Sequence, residues 1–235
     1  MHPSWLSNAF VLADEPGGTA VFVDSGAPLE PLLHVVESER LTPTHLLVTH
    51  GHADHVAGND ELVERFGLEV TTGAVDTGGL RIESIATPGH SDDGVSFVVG
   101  DLCFTGDTLF RDAVGGGPAD EMRRSVMEVL MKLPHELRVL PGHTDETTIG
   151  RETWLGGPRS CWAPPESTRS NVATPWHPTG CSSAVGRCGD SPLRPPHWSL
   201  SWATGENRER EPVAFQLRRV AALRECSAGS RLTLG

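Results

Sequence analysis

At 235 residues and 37% hydrophobic content, the chain has the size of one ordinary globular domain with an appendage, and no apolar run approaches the ~20 residues of a membrane span. A formal charge of −12 excludes nucleic acid as the main partner, because a phosphate-binding surface needs the opposite sign. Five cysteines without regular spacing exclude a disulfide framework, and the opening M-H-P-S-W-L-S-N-A-F lacks the cationic start and apolar core of a signal peptide, so a cytoplasmic location is expected.

In chain order, residues 9–12 and 19–23 read as strands joined through the turn signal Glu15-Pro16-Gly17-Gly18. Residues 30–39 carry apolar side chains at 32, 33, 35 and 36, one face of a helix. The run Leu46-Leu47-Val48 reads as a short buried strand, and 59–66 as a helix with Gly67 as its cap. Strands are expected over 68–72, 80–85, 95–99 and 102–105, a helix over 122–133, and a strand over 138–140. Strands mixed with helices predict an α/β or α+β domain.

The chain is organised around Thr49-His50-Gly51-His52-Ala53-Asp54-His55, which follows the 46–48 strand. Near a strand end, residues two apart project to the same side. His50 and His52 therefore aim at one spot, with Gly51 allowing a tight turn between them, while Asp54 and His55 face a second spot beside it. Imidazole and carboxylate are ligands of zinc and similar divalent metals. Three further segments end strands with a ligand: Thr87-Pro88-Gly89-His90, Thr105-Gly106-Asp107-Thr108 and Leu140-Pro141-Gly142-His143. The set is then His50, His52, Asp54, His55, His90, Asp107 and His143.

These motifs resemble the metallo-β-lactamase-fold hydrolases, whose pattern is H-x-H-x-D-H followed by a His, an Asp and a His at strand ends. The words T-P-G-H, G-D-T-L-F and P-G-H-T look like the glyoxalase II (hydroxyacylglutathione hydrolase) branch. The resemblance covers roughly residues 8–152. It implies a four-layer αββα sandwich with the site at one edge between the sheets. It also implies that His50, His52 and His90 hold one metal and Asp54, His55 and His143 the other, with Asp107 bridging. Asp54 and Asp107 are the candidate catalytic carboxylates. Asp24, in the D-S-G turn after the second strand, either caps that turn or reaches the metal loop.

Two divalent metals, expected as zinc with iron or manganese as alternatives, would sit roughly 3.5–4 Å apart and share a water of lowered pKa. Hydroxide between them would attack a small-molecule acyl bond, most naturally a thioester. The alternatives within the fold are a mono-iron persulfide dioxygenase, which would not need all of Asp54, His55 and His143, and a lactonase or β-lactamase. A different class is a damaged product that keeps the metal words without catalysis. Cys103 alternates with apolar neighbours and reads as a small buried residue, and His34 and His45 read as surface or packing residues. Asp92 and Asp93, just after His90, read as solvated loop residues in preference to partners that support an imidazole, and Gly115-Gly116-Gly117 as a flexible loop bordering the site.

Character changes after Glu152. Residues 1–152 hold 25 acidic and 9 basic residues, net −16, whereas 153–235 hold 6 and 10, net +4; together they give the −12 of the chain. Residues 153–235 are rich in Pro, Ser, Trp and Cys and poor in periodic apolar pattern, so they read as a poorly ordered tail or an out-of-frame translation. Within it, 212–223 reads as one basic helix. A zinc knuckle from Cys161, His177, Cys181 and Cys188 fits no regular spacing.

Overall fold

The computed structural model describes residues 7–156 and, as backbone strands, 197–203 and 213–220. Two sheets face each other. The first contains β1 (Ala9–Ala13), β2 (Thr19–Val23), β3 (Thr42–Leu47) and β4 (Glu69–Thr71), in that order across the sheet. The second runs from β5 (Val75–Thr77) through β6 (Leu80–Ala86), β7 (Val95–Val99) and β8 (Leu102–Gly106) to the later strands β11 (Arg138–Pro141) and β12 (Thr147–Thr148). A small ribbon, β9 (Leu109–Phe110) with β10 (Ala113–Val114), follows β8.

Period-two patterning explains the layers. In β1, Ala9, Val11 and Ala13 pack outward with Ala20, Phe22 and Leu46 against α1 (Glu30–Ser38) and α3 (Asn59–Phe66). Phe10 and Leu12 point the other way, onto Val21, Val23, Leu47, Ile82, Phe97 and Phe104 between the sheets. On the far side, Cys103 and Val139 pack with Val126, Leu130 and Leu155, capping the second sheet with a third core. A strand buried on both faces loses alternation and reads as a solid apolar run, as β1 and β8 do. The architecture is the expected αββα sandwich. No helix among the described residues is long and apolar enough to cross a membrane.

Several boundaries differ from expectation. β3 begins at Thr42, four residues before the apolar run, because its first four residues are exposed or half-buried and only Leu46 and Leu47 carry the buried signal. β5 is a three-residue pairing with β6 that carries no pattern of its own. The expected helix at 122–133 starts at Ala119 as α4 (Ala119–Arg123), widens to a π-helical stretch over Arg124–Val129 and tightens to a 3-10 turn over Leu130–Lys132. The short α2 (Ala53–Val56) carries Asp54 and His55. Gly67 does cap α3, in the left-handed conformation at φ 66°, with its N–H donating to the Val63 carbonyl at 2.8 Å.

The basic helix expected over 212–223 is instead a strand. β14 (Val213–Val220) pairs antiparallel with β1, Phe215 opposite Val11, and β13 (His197–Ala203) pairs antiparallel with β14. Val213, Phe215 and Leu217 fall at period two, and β1 offers an edge whose backbone groups need partners. The Cys161, His177, Cys181 and Cys188 grouping lies outside the described residues, as does most of the expected tail.

Phe10 and Phe104 meet edge-to-face across the two sheets, with ring centroids 5.1 Å apart. Phe104→Ala should destabilise the metal-free protein by about 3–5 kcal/mol in urea titrations. A loss below about 1 kcal/mol would show that this contact does not hold the sheets together.

Candidate metal centre

Five of the seven chemistry-bearing side chains follow strand ends on the same edge of the sandwich. His50 and His52 follow β3, His90 follows β6, Asp107 follows β8 and His143 follows β11. α2 carries Asp54 and His55 one turn beyond His52, which stands at its N-terminal boundary in extended conformation. The structure brings all seven of these residues together.

They form two groups that share a carboxylate. In the first, His50 Nε2 lies 3.0 Å from His52 Nδ1, which lies 2.9 Å from His90 Nε2. In the second, Asp54 Oδ2 lies 3.3 Å from His143 Nε2 and 4.0 Å from His55 Nε2. Asp107 stands between them: Oδ1 is 3.3 Å from His55 Nε2, and Oδ2 is 3.3 Å from His143 Nε2 and 3.5 Å from His90 Nε2. Within each of the sets His50–His52–His90, His50–His55–Asp107 and Asp54–His55–His143, the ligand atoms lie within 4.8 Å of one another.

The donor set fits a pair of divalent cations. His55 Nε2 and Asp107 Oδ1 are buried without a hydrogen-bond partner, so their 3.3 Å approach is ionic rather than directed. Buried polar atoms left in that condition are costly, and a cation between them would satisfy both. Nitrogen with carboxylate oxygen is the ligand chemistry of zinc and its neighbours.

The far sides of the rings are also held. Asp24, 1% exposed at the end of β2, accepts the Thr49 N–H at 2.8 Å, the Thr49 hydroxyl at 2.8 Å and His55 Nδ1 at 2.8 Å. Because Thr49 Oγ1 donates to Asp24, it is left to accept from His50 Nδ1 at 3.2 Å. One carboxylate thus places a proton on Nδ1 of two imidazoles, one in each group, and turns both Nε2 atoms inward. Asp24 sits at φ 55°, a left-handed conformation that aspartate tolerates better than most residues. Of the two readings open to it from sequence, the contact with the metal loop is the one observed.

His90 Nδ1 lies 2.9 Å from the Gly116 carbonyl. A Cβ at Gly115 would stand 1.8 Å from the Asp107 carbonyl oxygen, and one at Gly117 2.0 Å from that of Gly89. These glycines are demanded by crowding against the site. Asp93, expected as a solvated loop residue, accepts the Gly51 N–H at 3.0 Å and so pins the turn between His50 and His52. Neither role has a local signal, because each partner lies tens of residues away. His34 is exposed and His45 lies 3.6 Å from Glu69; both stand apart from the cluster.

Electrostatics divides the imidazoles. Burial, reinforced by the neighbouring His55, pushes His50 down to about 4, so it is neutral. Burial acts against protonation of His55 too, but the carboxylates of Asp107 and Asp24 outweigh it and push that group up to about 10. His143 is raised likewise, with Asp107 overcoming burial. Burial would raise Asp107, yet His143 and His55 hold its carboxyl far below the usual range. The proton that offsets the acidic charge therefore sits on His55, and Asp107 shifts His143 in the same direction. Burial alone pushes the Cys103 thiol up to about 12, which leaves it an inert core residue.

Asp24→Ala should free the His55 and His50 rings and lower metal affinity roughly 10- to 100-fold, read by titration with a competing chelator. An affinity within twofold of the parent would show that Asp24 only closes its turn.

Comparison with known proteins agrees with this geometry. Residues 3–77 match the Metallo-beta-lactamase superfamily. The chain is 32% identical over 199 residues to an uncharacterized protein of Mycobacterium tuberculosis, covering 62% of this chain and 89% of that one. It is 35% identical over 161 residues to the hydroxyacylglutathione hydrolase of Xylella fastidiosa, covering 60% of this chain and 61% of the relative. Among solved structures, ETHE1 from Myxococcus xanthus aligns with a TM-score of 0.55 at 32% identity, covering 61% of this chain and 75% of that one. TTHA1623, solved in a di-iron-bound form, aligns with a TM-score of 0.54 at 29% identity, covering 65% of this chain and 94% of that one. The chain belongs to the metallo-β-lactamase superfamily.

Proposed function

We propose that the protein is a dinuclear-metal hydrolase of small-molecule acyl bonds, with a thioester as substrate. The observation that carries this reading is Asp107, whose two oxygens face His90 of one group and His55 and His143 of the other. Likeness to a hydroxyacylglutathione hydrolase over 61% of that relative's length supports the thioester. Zinc suits the donor set, and the di-iron form of TTHA1623 supports iron as the alternative. A mono-iron dioxygenase would have no use for a second group as complete as Asp54, His55 and His143.

His50, His52 and His90 would hold one cation and Asp54, His55 and His143 the other, with Asp107 shared. Bound there, the cations would polarise the acyl carbonyl and make water a nucleophile near neutral pH. His50 and His55 form the buried floor, so substrate enters past His52, His90, Asp54 and His143. Asp54, 27% exposed beside His143, is placed to accept a proton as the water oxygen bonds to the acyl carbon. The carbon–sulfur bond then breaks, and the thiolate takes up a proton as it leaves. Asp24 and the Gly116 carbonyl keep the rings from turning during turnover.

Metal analysis of the purified protein, with assay on a hydroxyacylglutathione thioester, tests the reading. Two divalent ions per chain and thioester cleavage lost on chelation are expected; a single iron, or no cleavage by the doubly loaded protein, would overturn it. Asp107→Ala should lose nearly all activity and one metal while far-UV circular dichroism is kept.

The signs of the pKa shifts give a pH prediction. His55 moves from 6.5 to about 10, so without metal its ion pairs stabilise fully below pH 6.5 and fade as pH rises through 10. Asp107 moves down from 3.8, so its contribution is present above that value and lost as pH falls below it. His50 moves the other way, from 6.5 to about 4, so its contribution is complete above 6.5 and lost as pH falls through 4. The urea midpoint of chelator-treated protein should therefore peak near pH 6.5 and decline towards both 4 and 10. Metal uptake near pH ~7.5 must expel the His55 proton, and a pH indicator in weak buffer should record its release.

A further inference from the structure

The stretch just before β1 reaches across the molecule to both loops of the Asp54–His55–His143 group. The Ser7 hydroxyl donates to the Asp54 carbonyl at 2.6 Å. The Asn8 side-chain amide donates to the carbonyls of Pro141 at 2.9 Å and Thr144 at 3.0 Å, and its backbone N–H donates to the Gly142 carbonyl at 2.6 Å. Two adjacent residues thus hold the backbone on either side of His143 and the backbone of Asp54 itself. Ser7 is buried, and Gly26 lies so close that a Cβ there would meet Ser7 Oγ at 2.4 Å, which leaves the hydroxyl little freedom to turn elsewhere.

The His143 loop needs such a tie. Thr144 stands at φ 68°, a left-handed conformation that costs a β-branched residue on the order of 1–3 kcal/mol and persists only when surrounding contacts impose it. The Asn8 amide spans that strained residue, with one donor to the carbonyl of Thr144 and the other to that of Pro141. Gly142 is crowded as well: a Cβ there would stand 2.3 Å from Asp107 Oδ1 and 2.6 Å from His55 Cε1. Position and angle of His143 are thereby set by backbone packing on one side and by Asn8 on the other.

We infer that Ser7 and Asn8 are positioning residues for one metal only, the one held by Asp54, His55 and His143. The inference rests on the two-metal reading above. His50, His52 and His90 are braced instead by Thr49, Asp93 and Gly116, none of which touches Ser7 or Asn8. Loosening the N-terminal clamp therefore leaves the three-histidine group intact and weakens its neighbour.

The test is stepwise titration of the metal-free full-length protein with Zn²⁺ against a chromophoric chelator, which resolves two affinities. Asn8→Ala should weaken one step roughly 10- to 100-fold and leave the other within about twofold. Glycine accepts the left-handed turn without strain, so Asn8→Ala with Thr144→Gly should recover a substantial part of the loss. Equal weakening of both steps, no weakening, or no recovery in the double variant would overturn the inference. If Asn8→Ala does not fold, Ser7→Ala is read the same way: one weakened step supports the inference, and two unchanged steps overturn it. A parent protein that takes up a single Zn²⁺ would instead overturn the two-metal reading, and this inference with it.

Discussion

A single carboxylate sets the orientation of the candidate metal centre. Asp24 is withdrawn from water, which would be prohibitive for an unpaired anion, and it survives there because three donors converge on its two oxygens. Two of those donors come from Thr49, the residue that opens the metal motif, and the third from His55, which nearly closes it. The motif is therefore folded around Asp24 rather than lying as a surface loop. Protons on Nδ1 of His50 and His55 follow from this arrangement, and so does the inward aim of both Nε2 atoms.

Rigid surroundings make that precision useful. Asp24 directly follows β2 and β3 runs parallel beside that strand, so the anchor and the motif it holds leave adjacent strands. β8 and β11 are likewise parallel neighbours, with Gly106 opposite Pro141 where the register shifts. That irregularity lies one residue before Asp107 and two before His143. Two pairs of parallel strands, one in each sheet, thus present their ends across a dry apolar interface. Ligand positions inherit the stiffness of this core.

The convergence of these seven side chains was legible because His and Asp beside Gly, at the ends of apolar runs, have few purely structural uses. Most of the scaffold was legible from period-two patterning and from turn residues such as Gly67. What escaped was whatever lacked local pattern. The first half of β3 is exposed or half-buried, β5 is three residues long, and the stretch at Arg124–Val129 widens to a π-helix. Val213–Val220 carries alternate apolar residues amid arginines, and only the open edge of β1 decides between strand and helix. Asp93 and Gly116 contribute through contacts with partners distant in the chain, which no spacing rule announces, and for the same reason the sequence left two readings open for Asp24.

The division of ligands between two sheets orders events during synthesis. His50, His52, Asp54 and His55 leave the ribosome just after β3, while Asp107 and His143 follow only with β8 and β11. The three-histidine shell can close once His90 has emerged, whereas its neighbour must wait for the strand that carries His143. A nascent chain would thus acquire its nitrogen-rich pocket first and its carboxylate-bearing pocket last. Vectorial translation would then let the three-histidine group meet a metal before its neighbour is complete.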